Sequence, residues 1–156
     1  MRVRTSFQSQ ILAVTVVLGA TWTVSAQDAG TPLPRYTASS QTVVDTKTKL
    51  TWQRTAPGTT MALADAQTYC AGLGPTLGGG TWRVPTLKEL VTIVDYSQTT
   101  APMIDRNAFP STAAAVFWSS SAVAGVAFPE AWMVSFSDGT SGDYGTSFLG
   151  NVRCVR

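Results

Sequence analysis

The stretch "GGGTWRVPTLKEL", Gly78–Leu90, puts three glycines, a Trp-Arg pair, a proline and a helix start into one short run. Three consecutive glycines suit a phosphate-cradling loop, a flexible spacer or a tight backbone crossing. A Walker-type phosphate loop ends in Gly-Lys-Ser/Thr directly on a helix, but here Gly80 is followed by Thr81-Trp82-Arg83-Val84-Pro85. No G-x-G-x-x-G opens a helix either. Gly78–Gly80 therefore read as the place where the chain leaves one helix and turns back, because glycine adopts positive φ at low cost. Trp82 then plugs the core just ahead of the next helix. That helix is marked by Thr86-Leu87-Lys88-Glu89, which fits the capping box: Thr side chain to Glu amide, Glu side chain back to Thr amide. Leu87, Leu90, Val91 and Val94 continue it as an apolar stripe up to Asp95. Arg83 is placed to pair with Glu89 or stack on an aromatic, a structural role.

Upstream, "MALADAQTYCAGLG" (Met61–Gly74) repeats Leu63, Ala66, Cys70 and Leu73 at helical spacing, with Thr60 as N-cap and Gly74 as stop. Cys70 falls on its buried face. Before it, Thr42–Val44 and Leu50–Gln53 flank the polar turn Asp45–Lys49 and read as a hairpin. Downstream, Tyr96–Ala115 has no sustained periodicity and reads as a long loop. Strands follow at Val116–Ser120, Ala131–Phe136, Tyr144–Phe148 and Asn151–Arg156, with a turn at Ser137-Asp138-Gly139. Hairpin, two helices, long loop, antiparallel strands: this order predicts an α+β fold.

Residues 1–26 have the parts of a secretory signal peptide: Arg2 and Arg4, the apolar run Ile11–Ala20, and the small-residue site Val24-Ser25-Ala26. That run is too short for a bilayer, which needs about 20 apolar residues. Residues 27–41 read as a tail or linker, and 42–156 as one domain, since about 130 residues after cleavage support a single core. Cleavage removes two of the eleven basic residues, leaving nine against nine acidic ones. A near-neutral chain gives no electrostatic reason to expect nucleic acid or an anionic membrane as partner. There is no histidine, which excludes Ser-His-Asp and Cys-His catalysis and histidine-bearing metal sites. The two cysteines, Cys70 and Cys154, are most simply a disulfide in an oxidising compartment.

"KLTWQR" (Lys49–Arg54), "TYC" (Thr68–Cys70), "TWRVPTLKEL" (Thr81–Leu90), "FWSSS" (Phe117–Ser121) and the terminal "VRCVR" (Val152–Arg156) occur in that order. Together they resemble the family of bacterial extracellular domains named after the C-terminal domain of the collagen-like adhesin Lcl. The likeness runs from about Val43 to Arg156. It departs at Val84, where leucine is the expected residue, and in the glycine-rich approach to Trp82. The resemblance implies a C-type-lectin-like fold, in which a cysteine on the first helix pairs with one on the last strand, the places of Cys70 and Cys154. The calcium-dependent sugar motifs of such lectins, glutamate-proline-asparagine and tryptophan-asparagine-aspartate, are missing. Related enzymes on this fold oxidise substrates with two active-site cysteines, but here both are committed to the disulfide.

The resemblance thus implies a secreted or periplasmic, non-enzymatic binding or adhesion domain at the cell surface, without cofactor, whose ligand is an acidic polysaccharide or another protein. The candidate ligand-binding residues are Glu130, Trp132, Asp138 and Asp143. Trp132 on a strand supplies an aromatic face if exposed, although strand tryptophans usually pack inward, as expected of Trp52 and Trp82. "SDGTSGD" reads first as a turn whose Asp residues bond their own backbone. A calcium loop of Asp-x-Asp-x-Asp-Gly type is absent; improvised ligation by Glu130, Asp138 and Asp143 is the alternative to no metal. The rival functions are a hydrolase using two of these three carboxylates, which needs them about 5–10 Å apart in a cleft, and a purely structural module of a surface assembly.

Overall fold

Val43 and Trp52 are Cα partners across the first hairpin, and both are fully buried, so an alternating β-branched and aromatic pattern becomes one wall of the core. The computed structural model describes residues 34–156. The signal-peptide reading of residues 1–26 lies outside the described residues, as does the tail up to residue 33. The hairpin comprises β2 (Thr42–Asp45) and β3 (Thr51–Gln53). Its turn is held by Asp45, whose carboxylate accepts from the Lys47 N–H at 2.9 Å. Part of the segment read as a tail is a strand: β1 (Tyr36–Ala38) pairs antiparallel with β2. The sequence gives little sign of it because only three residues take part.

The two helices are α1 (Leu63–Ala71) and α2 (Leu87–Val91). Thr60 does not cap α1. The N-cap position is Ala62, and the Leu63 N–H finds its partner in the carbonyl of Thr146 at 3.0 Å, so a distant loop does the work of a cap. The helix also stops earlier than Gly74, with Gly72 at its C-cap. Both halves of the capping box form on α2. The helix nevertheless ends at Val91, short of Asp95. Val91-Thr92-Ile93-Val94 is a β-branched run with restricted rotamers in a helix, and the Thr92 hydroxyl donates back to the Glu89 carbonyl at 2.6 Å.

Residues 96–115 form the expected loop without helix or strand. β4 (Val116–Ala122), β5 (Glu130–Ser135) and β6 (Ser141–Gly145) then make a second antiparallel sheet in that order. β6 starts directly after the turn rather than at Tyr144, since Gly139, at φ 82°, closes a tight hairpin that fixes the register at once. The expected last strand, Asn151–Arg156, is not one. Asn151 bridges Phe117, whereas Val155 bridges both Trp52 and Arg83, so the segment changes partners too often for a ladder.

Successive residues of β4 face opposite sides. Phe117, opposite Val134, joins a cluster with Trp52, Leu90, Ile93, Phe109, Phe136 and Val155. Trp118, opposite Met133, joins the other with Leu63, Ala66, Cys70, Trp82, Val152 and Cys154. The helices thus cover opposite faces of the sheet, and the C-terminal segment feeds both. Trp52, Trp82 and Trp118 are all core residues. Gly78, Gly79 and Gly80 all have positive φ, near 80°, and Trp82 donates its indole N–H to the Gly79 carbonyl at 3.2 Å. The glycines turn the chain back as read, but they are exposed: a Cβ on Gly78 or Gly79 would meet nothing within 4 Å, and only Gly80 is closely approached, by the Arg156 side chain. Cys70 and Cys154 are bonded, with 5.5 Å between their Cα atoms. The α+β class is as read from the sequence. No helix among the described residues is long and apolar enough to cross a membrane.

Candidate functional site

The sheet brings three of the four candidate residues together and leaves one out. Trp132 and Asp143 are direct partners on β5 and β6, and Glu130, opposite Gly145, shares their face. Glu130 and Asp143 are diagonal neighbours, about 7–8 Å apart at Cα by strand geometry. Asp138 is elsewhere, in the hairpin turn. Its Oδ1 accepts from the Thr140 N–H at 3.0 Å and the Thr140 hydroxyl at 2.8 Å, and the first of these bonds leads in holding its pKa below the usual carboxylate value. Trp132 is half-buried, and Asp143 is exposed on an edge strand. Glu130 borders a shallow groove beside α1, with Leu63, Val126 and Phe128, from which Asp143 is absent. Among the described residues no group of three or more Asp, Glu, Cys or His side chains is arranged to hold a metal ion.

A second concavity has a mixed lining, with Arg35, Asp95, Asp105 and Asn107 beside Pro34, Ala38 and Val94. It is an open cleft of about 460 Å³ between β1, the residues after α2, and the long loop. Its floor is built around Arg35. The guanidinium donates to Asp45 Oδ2 at 2.9 Å and to the carbonyl of Thr92 at 2.6 Å, joining the first sheet to the end of α2. Burial opposes charge on Asp45, but Arg35 and the Lys47 N–H outweigh it and hold the carboxyl below its usual pKa. Tyr36 beside it packs edge-on against Phe109, and burial pushes its phenol up to about 12.

The rim consists of two turns anchored by aspartates. Asp95 Oδ1 accepts from Ser97 N–H and hydroxyl, and Oδ2 accepts from the Gln98 amide at 2.6 Å. The Ser97 hydroxyl leads in holding this carboxyl below its ordinary pKa. Asp105 Oδ1 accepts from the N–H groups of Asn107 and Ala108 at 2.9 and 3.0 Å. Tyr96 is the middle residue of the first turn and lines the cleft. It is 66% exposed, yet its hydroxyl donates to the Gly139 carbonyl at 2.9 Å. A Cβ on Gly139 would come within 2.5 Å of the Tyr96 ring, so the ring is seated on that glycine.

Sequence reasoning missed this cleft. Arg35 and Tyr36 fall in the supposed tail, and Asp95, Tyr96, Asp105 and Asn107 in or beside a stretch without periodicity. The available signal was the pair "DYSQ" and "DRNA", each an Asp followed two residues later by a polar residue, the pattern of an Asx turn.

Most other motif residues have structural duties. Arg83 and Glu89 form a bidentate pair with both contacts at 2.7 Å, and Arg83 is the main cause of the Glu89 pKa falling to about 2. Gln53 accepts from the Cys154 N–H and donates to the Tyr69 hydroxyl. Arg153 is completely buried. It donates to the carbonyls of Gln53 and Arg54 and to the Thr112 hydroxyl, and lies over the Phe109 ring. Burial pulls its pKa down to about 9, so it remains a cation at neutral pH.

With this geometry in view, a family model described as the Lcl C-terminal domain matches residues 41–156. No curated protein matches the sequence. Among solved structures, the crystal structure of botrocetin is similar at 10% identity, covering 79% of this chain and 96% of that one, with a TM-score of 0.45. A similarity of that size carries no argument about ligand or activity.

Proposed function

We propose, since the chain belongs to the Lcl C-terminal domain family, that it is a non-enzymatic binding domain acting outside the cytoplasm on a surface polysaccharide or protein. The observation that carries this reading is the cleft: its Arg35, Asp95 and Tyr96 are each fixed by protein hydrogen bonds, as in a preformed ligand site. The Cys70–Cys154 disulfide supports an oxidising compartment. A hydrolase would have to use Glu130 and Asp143. Their spacing is within reach of a glycosidase pair, but Asp143 stands exposed outside the groove that Glu130 borders, where water is not controlled.

The test is an array of glycans and extracellular-matrix proteins probed with residues 27–156 secreted in oxidised form. The expected result is saturable binding to one ligand class, with the bound material recovered unchanged. Cleavage of the ligand, or no binding to either class, would sink the reading.

A further inference from the structure

We propose, resting on that binding role, that the cleft takes an uncharged, hydroxyl-rich sugar ring, laid on Tyr96 and hydrogen-bonded by Asp105 and Asn107. The first support is Tyr96. A side chain 66% exposed ordinarily samples several rotamers, but this one is tied at its hydroxyl and backed by Gly139, whose φ of 82° and missing Cβ make the seat. Its outer face is a rigid apolar surface bordered by polar groups, the arrangement that suits a sugar's C–H face and ring hydroxyls together. An aromatic fixed before binding loses little entropy when a ligand arrives.

The unused hydrogen-bonding groups narrow the chemistry. Among the described residues both Asp95 oxygens and Asp105 Oδ1 already accept bonds, whereas Asp105 Oδ2 and the Asn107 side-chain amide have no partner. What remains is one strong acceptor beside an amide that both donates and accepts, a match for neighbouring hydroxyls. An acidic sugar fits poorly. Asp95 and Asp105 stand at the rim, and the Arg35 charge is already neutralised by Asp45. A lysine-rich peptide is drawn by the same two carboxylates but offers no acceptor for the Asn107 amide protons, and it is the competing ligand in the test.

Isotope-labelled protein is titrated with cellotetraose, mannotetraose and maltotetraose, and separately with a heparin tetrasaccharide and an oligolysine peptide, following backbone amides by NMR. At least one neutral sugar is expected to shift the amides of Tyr96, Asp105 and Asn107 saturably at millimolar concentration. Tyr96→Ala should weaken that binding about tenfold, as removal of an aromatic anchor does, and Asn107→Ala severalfold. Tyr96→Phe, which keeps the ring but releases it from the Gly139 carbonyl, should bind with an affinity between those of the native protein and Tyr96→Ala. Asn107 is exposed and its side chain bonds to nothing described, so its variant will fold. Neutral sugars that leave these amides unmoved overturn the proposal, as does a site reached only by heparin or oligolysine. Binding on the array that maps to another surface removes the cleft and leaves the binding role standing. No binding on the array removes both.

Discussion

The C-terminal seam and the β5–β6 hairpin are built on opposite plans. Residues 152–155 belong to no strand, yet all four are buried. They are tied to β3 through the Gln53 N–H to Cys154 carbonyl bond at 2.9 Å, and to Arg83 through paired bonds at Val155. The hairpin is regular, with five consecutive pairs from Glu130–Gly145 to Val134–Ser141, but β6 alternates only between exposed and half-buried. Ladder regularity and burial are separate things. The seam organises the fold through irregular contacts to everything around it, and the hairpin edge, for all its order, holds little else in place. Substitutions in the two regions should therefore differ in effect by several kcal/mol.

The largest effect is expected at the disulfide. Closing a segment of 84 residues corresponds to about 4–5 kcal/mol in the chain-entropy treatment. That is a large share of the roughly 5–15 kcal/mol that stabilises a typical domain. Cys70→Ser with Cys154→Ser should lower the denaturation midpoint accordingly and expose the last residues to carboxypeptidase. An unchanged midpoint would mean that the seam is held by packing alone.

Arg153 comes next. Arg153→Ala leaves the Gln53 and Arg54 carbonyls without a donor and opens a hole beside Phe109. The expected loss is about 3–5 kcal/mol by urea denaturation. Arg153→Met fills most of the space, and buried charges replaced by well-packed apolar groups often cost little. A loss for Met as large as for Ala would show that the carbonyls, rather than the volume, require this cation.

A smaller effect is a matter of pH. The folded-state pKa of Glu89, about 2, lies below its ordinary 4.5, so the Arg83 pair contributes stability above pH 4.5 that fades as pH falls toward 2. Arg83 is 46% exposed at its side chain, and solvent screening reduces the contribution to about 1 kcal/mol. Glu89→Gln should lose that amount at pH 7 and little near pH 2. Parallel pH curves for the two proteins would assign the loss to the cap geometry instead of the charge.

What could be read from the sequence was local. The capping box, the glycine turn ahead of Trp82, the first hairpin and the turn at Asp138 each depend on residues a few positions apart, and each is present. The parts that eluded reading depend on distance. α1 begins where Thr146 meets it, and the last segment is irregular because it satisfies partners as far apart as Trp52 and Phe117. The cleft draws Arg35 and Asp105 together from two segments without periodicity. Of the candidate residues, Glu130, Trp132 and Asp143 meet through the register of a sheet whose outer strand, β6, starts three residues earlier than the pattern suggested.

The smallest expected effect tests the hairpin itself. Asp143 is exposed on the outer strand opposite Trp132, and its side chain makes no hydrogen bond to the described residues. Asp143→Asn therefore removes a charge that nothing nearby requires, and surface changes of this kind stay within about 0.5 kcal/mol. Glu130→Gln should behave alike, since the backbone bond from Val123 N–H to the Glu130 carbonyl at 2.9 Å survives the change. Neither variant should alter binding in the Tyr96 cleft, which shares none of these residues. A stability loss above about 1 kcal/mol would make the hairpin edge a second organising element and remove the contrast with the seam. A loss of ligand binding with stability intact would instead return the site to the β5–β6 face.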